Sequence, residues 1–325
     1  MKKLFITGLL LLLGACPAVS QEDDVEAFVS DMLILAGRFS EPAADGAAYQ
    51  AAGGWFSSAS VLETWDLRFS GHANILFVPD EKTRFSVSNE ELALLEISGA
   101  TSAEMPTAFG GASPVMLEGE ITAFGQTRSF SFNAIQGSGL TTVPHAFAQL
   151  SVGLPSGTEL SFRGMPEVTI DGVTASTLGA GLKHSLSQYM GSDDQEDIQV
   201  AAGIAYSRLN IEYGFTPTGA EGIVLLDIID VKADLWLLEA MVSKRWGPVE
   251  LFGAGGAMNS AFDYEMGGTG PFLETVNTEI QALEEDVVQF KGDLGLNLYF
   301  GPFRLSSQAS LGEFTNVNLG LHVKI

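Results

Sequence analysis

Cysteine is almost absent from this chain: Cys16 is the single one in 325 residues. Beyond position 20 there is therefore no disulfide framework and no thiolate metal site. Basic residues are scarce too, 16 Lys and Arg against 40 Asp and Glu, for a net charge of −24. A field of that sign repels nucleic acid and anionic surfaces. No run after residue 20 has the roughly 18 apolar residues of a membrane-spanning helix. The strongest, Ile223 to Ile229, is interrupted by Asp227. Histidine is limited to His72, His145, His184 and His322, none at metal-ligand spacing. Fixed-period repeats and low-complexity tracts are missing. Disorder is excluded as well, because 46% of the residues are hydrophobic and only 17% charged.

What is present begins with an export signal. Lys2 and Lys3 precede the apolar stretch Leu4–Leu13, and Ala18-Val19-Ser20 supplies small residues at a cleavage position. The segment 1–20 is read as a signal peptide and the mature chain as starting near Gln21. Leu13-Gly14-Ala15-Cys16 also fits a lipoprotein box, which would put a lipid on Cys16. Pro17 directly after it favours ordinary cleavage instead. An exported, rather apolar protein without spanning helices is either a soluble periplasmic β-rich protein or an outer-membrane β-barrel.

Residues 21–62 form a helical segment unlike the rest. Val25, Phe28, Val29, Met32 and Leu33 recur at helical spacing behind the acidic start Glu22-Asp23-Asp24. Pro42 and Gly53-Gly54 divide the remainder of the segment into a second short helix near 43–52 and a third near 55–62. The segment serves either as a plug in a lumen or as a periplasmic cap.

From Trp65 the period becomes two. Leu67, Phe69, Gly71, Ala73, Ile75 and Phe77 oppose Arg68, Ser70, His72 and Asn74. The alternation returns at 115–123, 129–134, 145–154, 197–207, 293–300 and 303–311, and again from Val317 to Ile325 at the end of the chain. Several of these runs match the roughly 9–11 residues of a tilted transmembrane strand. Tight turns at Pro155-Ser156-Gly157, Trp246-Gly247-Pro248 and Gly301-Pro302 alternate with longer connections at 100–114, 187–196, 214–222 and 261–286. The last of these carries Val276, Ile280, Leu283 and Val287 at helical spacing, a short helix in an external loop. Assignments at 84–99 and 209–245 stay open. Near Arg208 the apolar phase flips to Leu209, Ile211, Tyr213 and Phe215, either a bulge or a turn. The final strand is expected to close the wall on the first.

At 144–190 a set of residues resembles an uncharacterised domain-of-unknown-function family of exported proteins from Bacteroidota and relatives. They are Pro144, Gln149, Val152-Gly153-Leu154-Pro155, Thr158-Glu159-Leu160, Arg163, Pro166 and Gly181-Leu182-Lys183-His184, with Trp55 and Pro79 upstream. The resemblance implies an outer-membrane barrel of unassigned role and brings no catalytic residues. A weaker, shape-level similarity is to long-chain fatty-acid transporter barrels, which have an N-terminal plug; their plug motif has no clear match here. The terminal Ile325 departs from the aromatic residue on which outer-membrane barrels commonly end.

Chemistry on the predicted inner face is polar. Glu118, Glu120, Glu159, Asp197, Glu212, Asp234, Glu250 and Asp293 are expected to point inward, met by Arg68, Arg128, Arg163, Lys232 and Lys291. They form either a neutralised network filling the lumen or a cation- or zwitterion-favouring channel. Lys183-His184-Ser185 is the one compact grouping for a lipase-like activity, and it also reads as a hydrogen-bonded lumen cluster. The acidic stretch 192–199 lacks the Gly and Glu spacing of a calcium loop and reads as a solvated loop. Trp236, Trp246, Tyr299 and Phe303 lie where aromatic girdles belong.

The expectation is therefore an all-β, antiparallel transmembrane β-barrel of about 12–14 strands over residues 63–325. It would sit in the outer membrane of a Gram-negative bacterium and pass or bind a small hydrophobic molecule. A structural or interaction barrel without transport is the alternative, and a soluble periplasmic protein a further one. No enzyme activity, cofactor, metal or nucleic-acid partner is expected. The partners would be outer-membrane lipid, the barrel-assembly machinery and a small hydrophobic ligand. The lumen positions of interest are Arg163, Lys183, His184, Glu159, Arg68 and His72.

Overall fold

A computed structural model describes residues 19–123, 126–170, 172–190, 198–281 and 286–325. The expected signal peptide before residue 19, Cys16 and most of the acidic stretch 192–199, Asp197 included, lie outside the described residues.

Ten antiparallel strands close the wall. They are β1 (Leu67–Phe77), β7 (Thr142–Leu154), β8 (Thr158–Ile170), β9 (Val173–Ser185), β10 (Ile198–Ala220), β11 (Val224–Trp246), β12 (Val249–Thr269), β13 (Asp286–Phe300), β14 (Phe303–Gly312) and β15 (Thr315–Lys324). Each pairs with its sequence neighbour in this set. The last strand closes on the first, from Arg68↔Lys324 to Phe77↔Thr315. β15 is thereby paired on both edges, with β14 and with β1, and its alternation follows from having the lumen on one face and the outer surface on the other.

The wall has ten strands, fewer than the expected 12–14, because not every alternating segment belongs to it. Residues 78–141 form a separate cap above the barrel. There β2 (Arg84–Ser88) pairs with β4 (Ser102–Pro106), while β3 (Glu96–Ile97), β5 (Met116–Ala123) and β6 (Gln126–Asn133) make a small sheet. The periods at 115–123 and 129–134 are thus strands of the cap. Helix α2 (Leu273–Ile280) lies in the β12–β13 connection with Val276 and Ile280 buried. Asn277 pins it by exchanging hydrogen bonds with the Met266 backbone, at 2.7 and 2.9 Å.

The phase flip at Arg208 marks a change of surroundings. Along β10 the outer face reads Ile198, Val200, Ala202, Ile204, Tyr206 and then Arg208, Asn210, Glu212. The inner face reads Gln199, Ala201, Gly203, Ala205, Ser207 and then Leu209, Ile211, Tyr213, Phe215. Below Tyr206 the outside is apolar and the inside small or polar; above it the order inverts. The side chains never change faces at this point. Strand β11 inverts with it, since Arg208 pairs Asp234 and Glu212 pairs Asp230 on the outer side. The upper parts of β10–β12 rise above an apolar belt and wrap a conventional apolar core. Residues 214–222 consequently continue the β10–β11 hairpin, with a register shift between Gly214 and Thr218.

A single helix, α1 (Val19–Ala52), replaces the first two predicted helices, and residues 55–62 are irregular chain. Pro42 sits inside the helix and removes one backbone donor. Burial of Phe28, Met32, Phe39, Ala44, Ala48 and Tyr49 on both sides of it holds the helix together. The alanine-rich second half suits the narrow lumen: a Cβ at Gly46 would lie 3.0 Å from Leu76 and 3.1 Å from Phe109. In the cap, the buried Asp31 carboxylate accepts the N–H groups of Ala93, Leu94 and Leu95, each at 2.7 Å. Arg38 bonds Glu91 at 2.5 Å. From there α1 descends through the barrel, and residues 53–66 lead to β1 at the short-turn end. No described helix is long and apolar enough to cross a membrane.

Candidate functional site: a clamped plug beside an apolar cavity

The polar groups of the lumen hold the chain that runs down its axis. Arg163, on β8, is buried beneath the end of α1. It donates to the carbonyls of Ala51 (3.1 Å) and Gly53 (3.0 Å). A guanidinium there satisfies carbonyls that a helix terminus leaves free and complements the negative end of the helix dipole. Its plane also lies between two rings, 4.1 Å from the centroid of Trp55 and 3.9 Å from that of Phe147. Gln149 Oε1 accepts from Arg163 Nε at 3.4 Å. Trp55 and Phe56 fit because β9 and β10 present glycine to them. A Cβ at Gly181 would lie 3.0 Å from Trp55, and one at Gly203 2.5 Å from Phe56.

One turn further along, Glu159 Oε2 accepts the N–H of Leu62 at 3.0 Å, and Oε1 meets Arg68 at 3.4 Å. Lys183 pairs with Glu159 at 3.4 Å and donates to the carbonyls of Ser58 (3.1 Å) and Ser60 (2.7 Å). Opposite, Glu250 accepts from Ser58 at 2.6 Å and from Tyr299 and Asn297. Asn297 donates to the Ser57 carbonyl at 2.6 Å, and Arg304 to its hydroxyl at 2.9 Å. A second cluster is fully buried: Lys291 lies 2.5 Å from Asp293 and 3.3 Å from Glu239. Buried charges persist only when paired in this way.

Of the positions singled out from the sequence, Arg163, Lys183, Glu159, Arg68 and His72 share this lumen. His184 does not. It faces outward at the short-turn end, bonded to Thr158 at 2.8 Å and Tyr189 at 3.0 Å, because adjacent strand residues point to opposite faces. His72 bonds Asn318 at 3.0 Å and stacks on Phe147. His322 has one ring nitrogen 2.7 Å from Ser70 and the other 2.8 Å from Ser306.

The expected inward carboxylates divide. Glu159, Glu250 and Asp293 are inside; Glu118 and Glu120 are exposed on the cap; Glu212 and Asp234 face outward above the belt. Among the basic residues, Arg68, Arg163 and Lys291 are inside, Arg128 is on the cap, and Lys232 is outside beside Glu265. Trp236, Trp246 and Phe303 are exposed on the wall, whereas Tyr299 turns inward to Glu250. Glu239 escaped the sequence reading. Its signal is a lone carboxylate in the apolar run from Leu235 to Val242. Among the described residues no cluster of His, Cys, Asp or Glu could hold a metal ion.

Between α1 and the wall of β1 and β7–β10 lies a cavity of about 440 Å³. Ala43, Ala47, Leu76, Phe109, Leu140, Val143, Met165, Ala175, Leu209 and Ile211 line it. Four of its polar side-chain atoms have no hydrogen-bond partner: Asn74 Oδ1, both ring nitrogens of His145, and Thr177 Oγ1. Buried polar atoms in that condition are uncommon.

Fold and site together define a closed antiparallel β-barrel of the outer-membrane architecture, its lumen filled by its own N-terminal segment. The chain belongs to a family of unknown function (DUF6588), whose profile matches residues 1–325. No curated protein matches it. Among solved structures it is similar to the beta domain of the Bordetella autotransporter BrkA. That match has 8% identity and a TM-score of 0.35, and covers 80% of this chain and 99% of that one. The outer membrane protease OmpT from Escherichia coli is similar at 9% identity and a TM-score of 0.32, covering 82% and 100%. The translocator domain of the autotransporter NalP from Neisseria meningitidis has 11% identity and a TM-score of 0.31, covering 92% and 98%.

Proposed function

We propose that this protein is an outer-membrane barrel, closed by its own plug, that binds a small hydrophobic molecule inside the wall. The exposed belt of Phe69, Ile204, Leu238, Leu294 and Leu319 supports the membrane placement. By the usual rule of short periplasmic turns, the cap faces the cell exterior. The cavity carries the binding reading. Its volume falls within the roughly 300–1,000 Å³ of ligand pockets, and an apolar lining with a few convergent polar atoms is how such pockets are built. The clamped plug argues against a free aqueous channel. The lumen serines bonded to His322 are enclosed away from solvent, which favours binding over hydrolysis.

The test is thermal unfolding in lipid nanodiscs with single-chain amphiphiles or with sugars. A ligand of the native state alone raises the melting temperature, by an amount that grows with the logarithm of its concentration above the dissociation constant. An amphiphile should stabilise the wild type and lose its effect in Ala175→Phe, which fills the cavity, while sugars do nothing. If no lipid-like solute shifts the transition, a structural or interaction barrel becomes the better reading.

A further inference from the structure

The wall has a split seam. Strands β7 and β8 pair from Leu154↔Thr158 up to Ala148↔Gly164, and there the pairing stops. On their other edges both strands continue. β7 stays bonded to β1 as far as Phe77↔Thr142, and β8 stays bonded to β9 as far as Ile170↔Val173. The upper six residues of β7, Thr142–Phe147, thus have no partner in β8. The chemistry of the two strands explains the split. Pro144 and Pro166 have no N–H to give to a ladder. β8 also shifts register against β9 between Met165 and Val168, just beyond the last β7–β8 pair at Gly164.

The split lies against the apolar cavity beside α1. Besides inward groups, that cavity is lined by Ala73, Ile75, Pro144 and Ala146, which belong to the outer face of the wall. Outside, the adjoining surface is hollowed by the small residues Gly71, Ala146, Ala148 and Gly164 into a groove of about 510 Å³, edged by Leu319 and Leu321. Neighbouring outward residues Ile75 and Phe77 are apolar and exposed, so the split opens in the belt. Water is a poor occupant of such a passage, and a lipid-dissolved solute a good one.

We infer that the seam between Pro144 and Pro166 is a lateral port through which a slender, membrane-dissolved amphiphile passes between the bilayer and the cavity. The inference rests on the proposed binding of a hydrophobic molecule and adds its route and substrate class. The apolar chain lies along α1, and one hydrogen-bonding group meets His145, Asn74 and Thr177, the groups left without partners. The plug need not move, so the buried clamp and the port are compatible.

The experiment seals the seam reversibly. Ala146→Cys and Pro166→Cys, in the mature chain, are bridged by a reducible bis-maleimide after folding is verified by heat-modifiable migration. A fluorescent single-chain fatty acid is supplied from vesicles, and its uptake into the full-length reconstituted protein is followed. Bridging should slow uptake at least tenfold, and reduction should restore it. As a second variant, Pro144→Val with Pro166→Val returns two ladder donors and should slow uptake without any cross-link. Uptake at the unsealed rate in the bridged protein overturns the port while leaving binding intact. Absence of uptake by the wild type, both from vesicles and from detergent solution, overturns the binding reading and the port with it.

Discussion

The guanidinium of Arg163 lies 4.1 Å above the ring of Trp55 while donating to the carbonyl of Gly53, two residues earlier in the chain, at 3.0 Å. A single wall residue thereby caps the helix and fixes the aromatic beyond it. Arg163→Ala should cost about 3 kcal/mol, combining a desolvated cation–π contact with charged hydrogen bonds. Arg163→Lys keeps the charge but not the planar stack, and should recover less than half. Urea unfolding measures both. With the helix end released, planar-bilayer recordings of Arg163→Ala should show openings that the wild type lacks; unchanged stability and silence would show that the clamp does not hold the plug.

Gly181 tests the same contact from the other side. A side chain there would begin 3.0 Å from the Trp55 ring. Gly181→Val should destabilise by about 1–3 kcal/mol, as overpacking does. In a Trp55→Ala background most of that cost should vanish, because the two residues then no longer collide. The double-mutant cycle reads the coupling directly. Additive effects would mean that the glycine serves the strand and not the plug.

The inversion on β10 predicts opposite tolerance at two positions of one face. Ile204→Arg places a charge in the belt and should cost about 2–4 kcal/mol or block assembly. Glu212→Arg lies on the same outer face above the belt, opposite Asp230, and should change stability by less than about 0.5 kcal/mol. Equal penalties would remove the boundary from Arg208.

These cases show what the sequence could and could not disclose. Period-two alternation made the barrel legible, and the alternation through Val317–Ile325 foretold the closing strand. It could not separate wall from cap, since β5 and β6 alternate as well as any wall strand. The inversion near Arg208 looked like a bulge or a turn, because alternation records polarity and is blind to which solvent lies outside. Pro42 looked like a helix end because local propensity omits the packing of Phe39 and Tyr49 that overrides it. In the site, Glu159, Arg163 and Lys183 were visible as charges on strand faces. Their targets were not, because the backbone carbonyls of residues 51–60 that Arg163 and Lys183 reach, and the Leu62 N–H that Glu159 accepts, have no signature in sequence. The split seam was hidden for a similar reason. Pro144 and Pro166 stood out, but a break in a ladder requires the register of two strands.

A last prediction concerns pH. Asp45 sits on α1 at the cap-end rim, near Glu313 and Lys82, which pair with each other. Burial pushes its carboxyl up to about 6, with Glu313 adding to the shift and Lys82 opposing it. The native state therefore binds this proton more tightly than the unfolded chain, whose value is 3.8. Linkage then fixes the sign: the wild type loses stability as pH rises from about 4 to about 6 through this group, and the loss is complete above that window. Asp45→Asn removes the charge at every pH. It should stabilise by about 2 kcal/mol at pH 7.5, by less at pH 5, and by nothing below about pH 4. Melting temperatures of the two proteins across that range give the answer. A pH-independent difference would show that Asp45 is not a strained carboxylate in the folded protein.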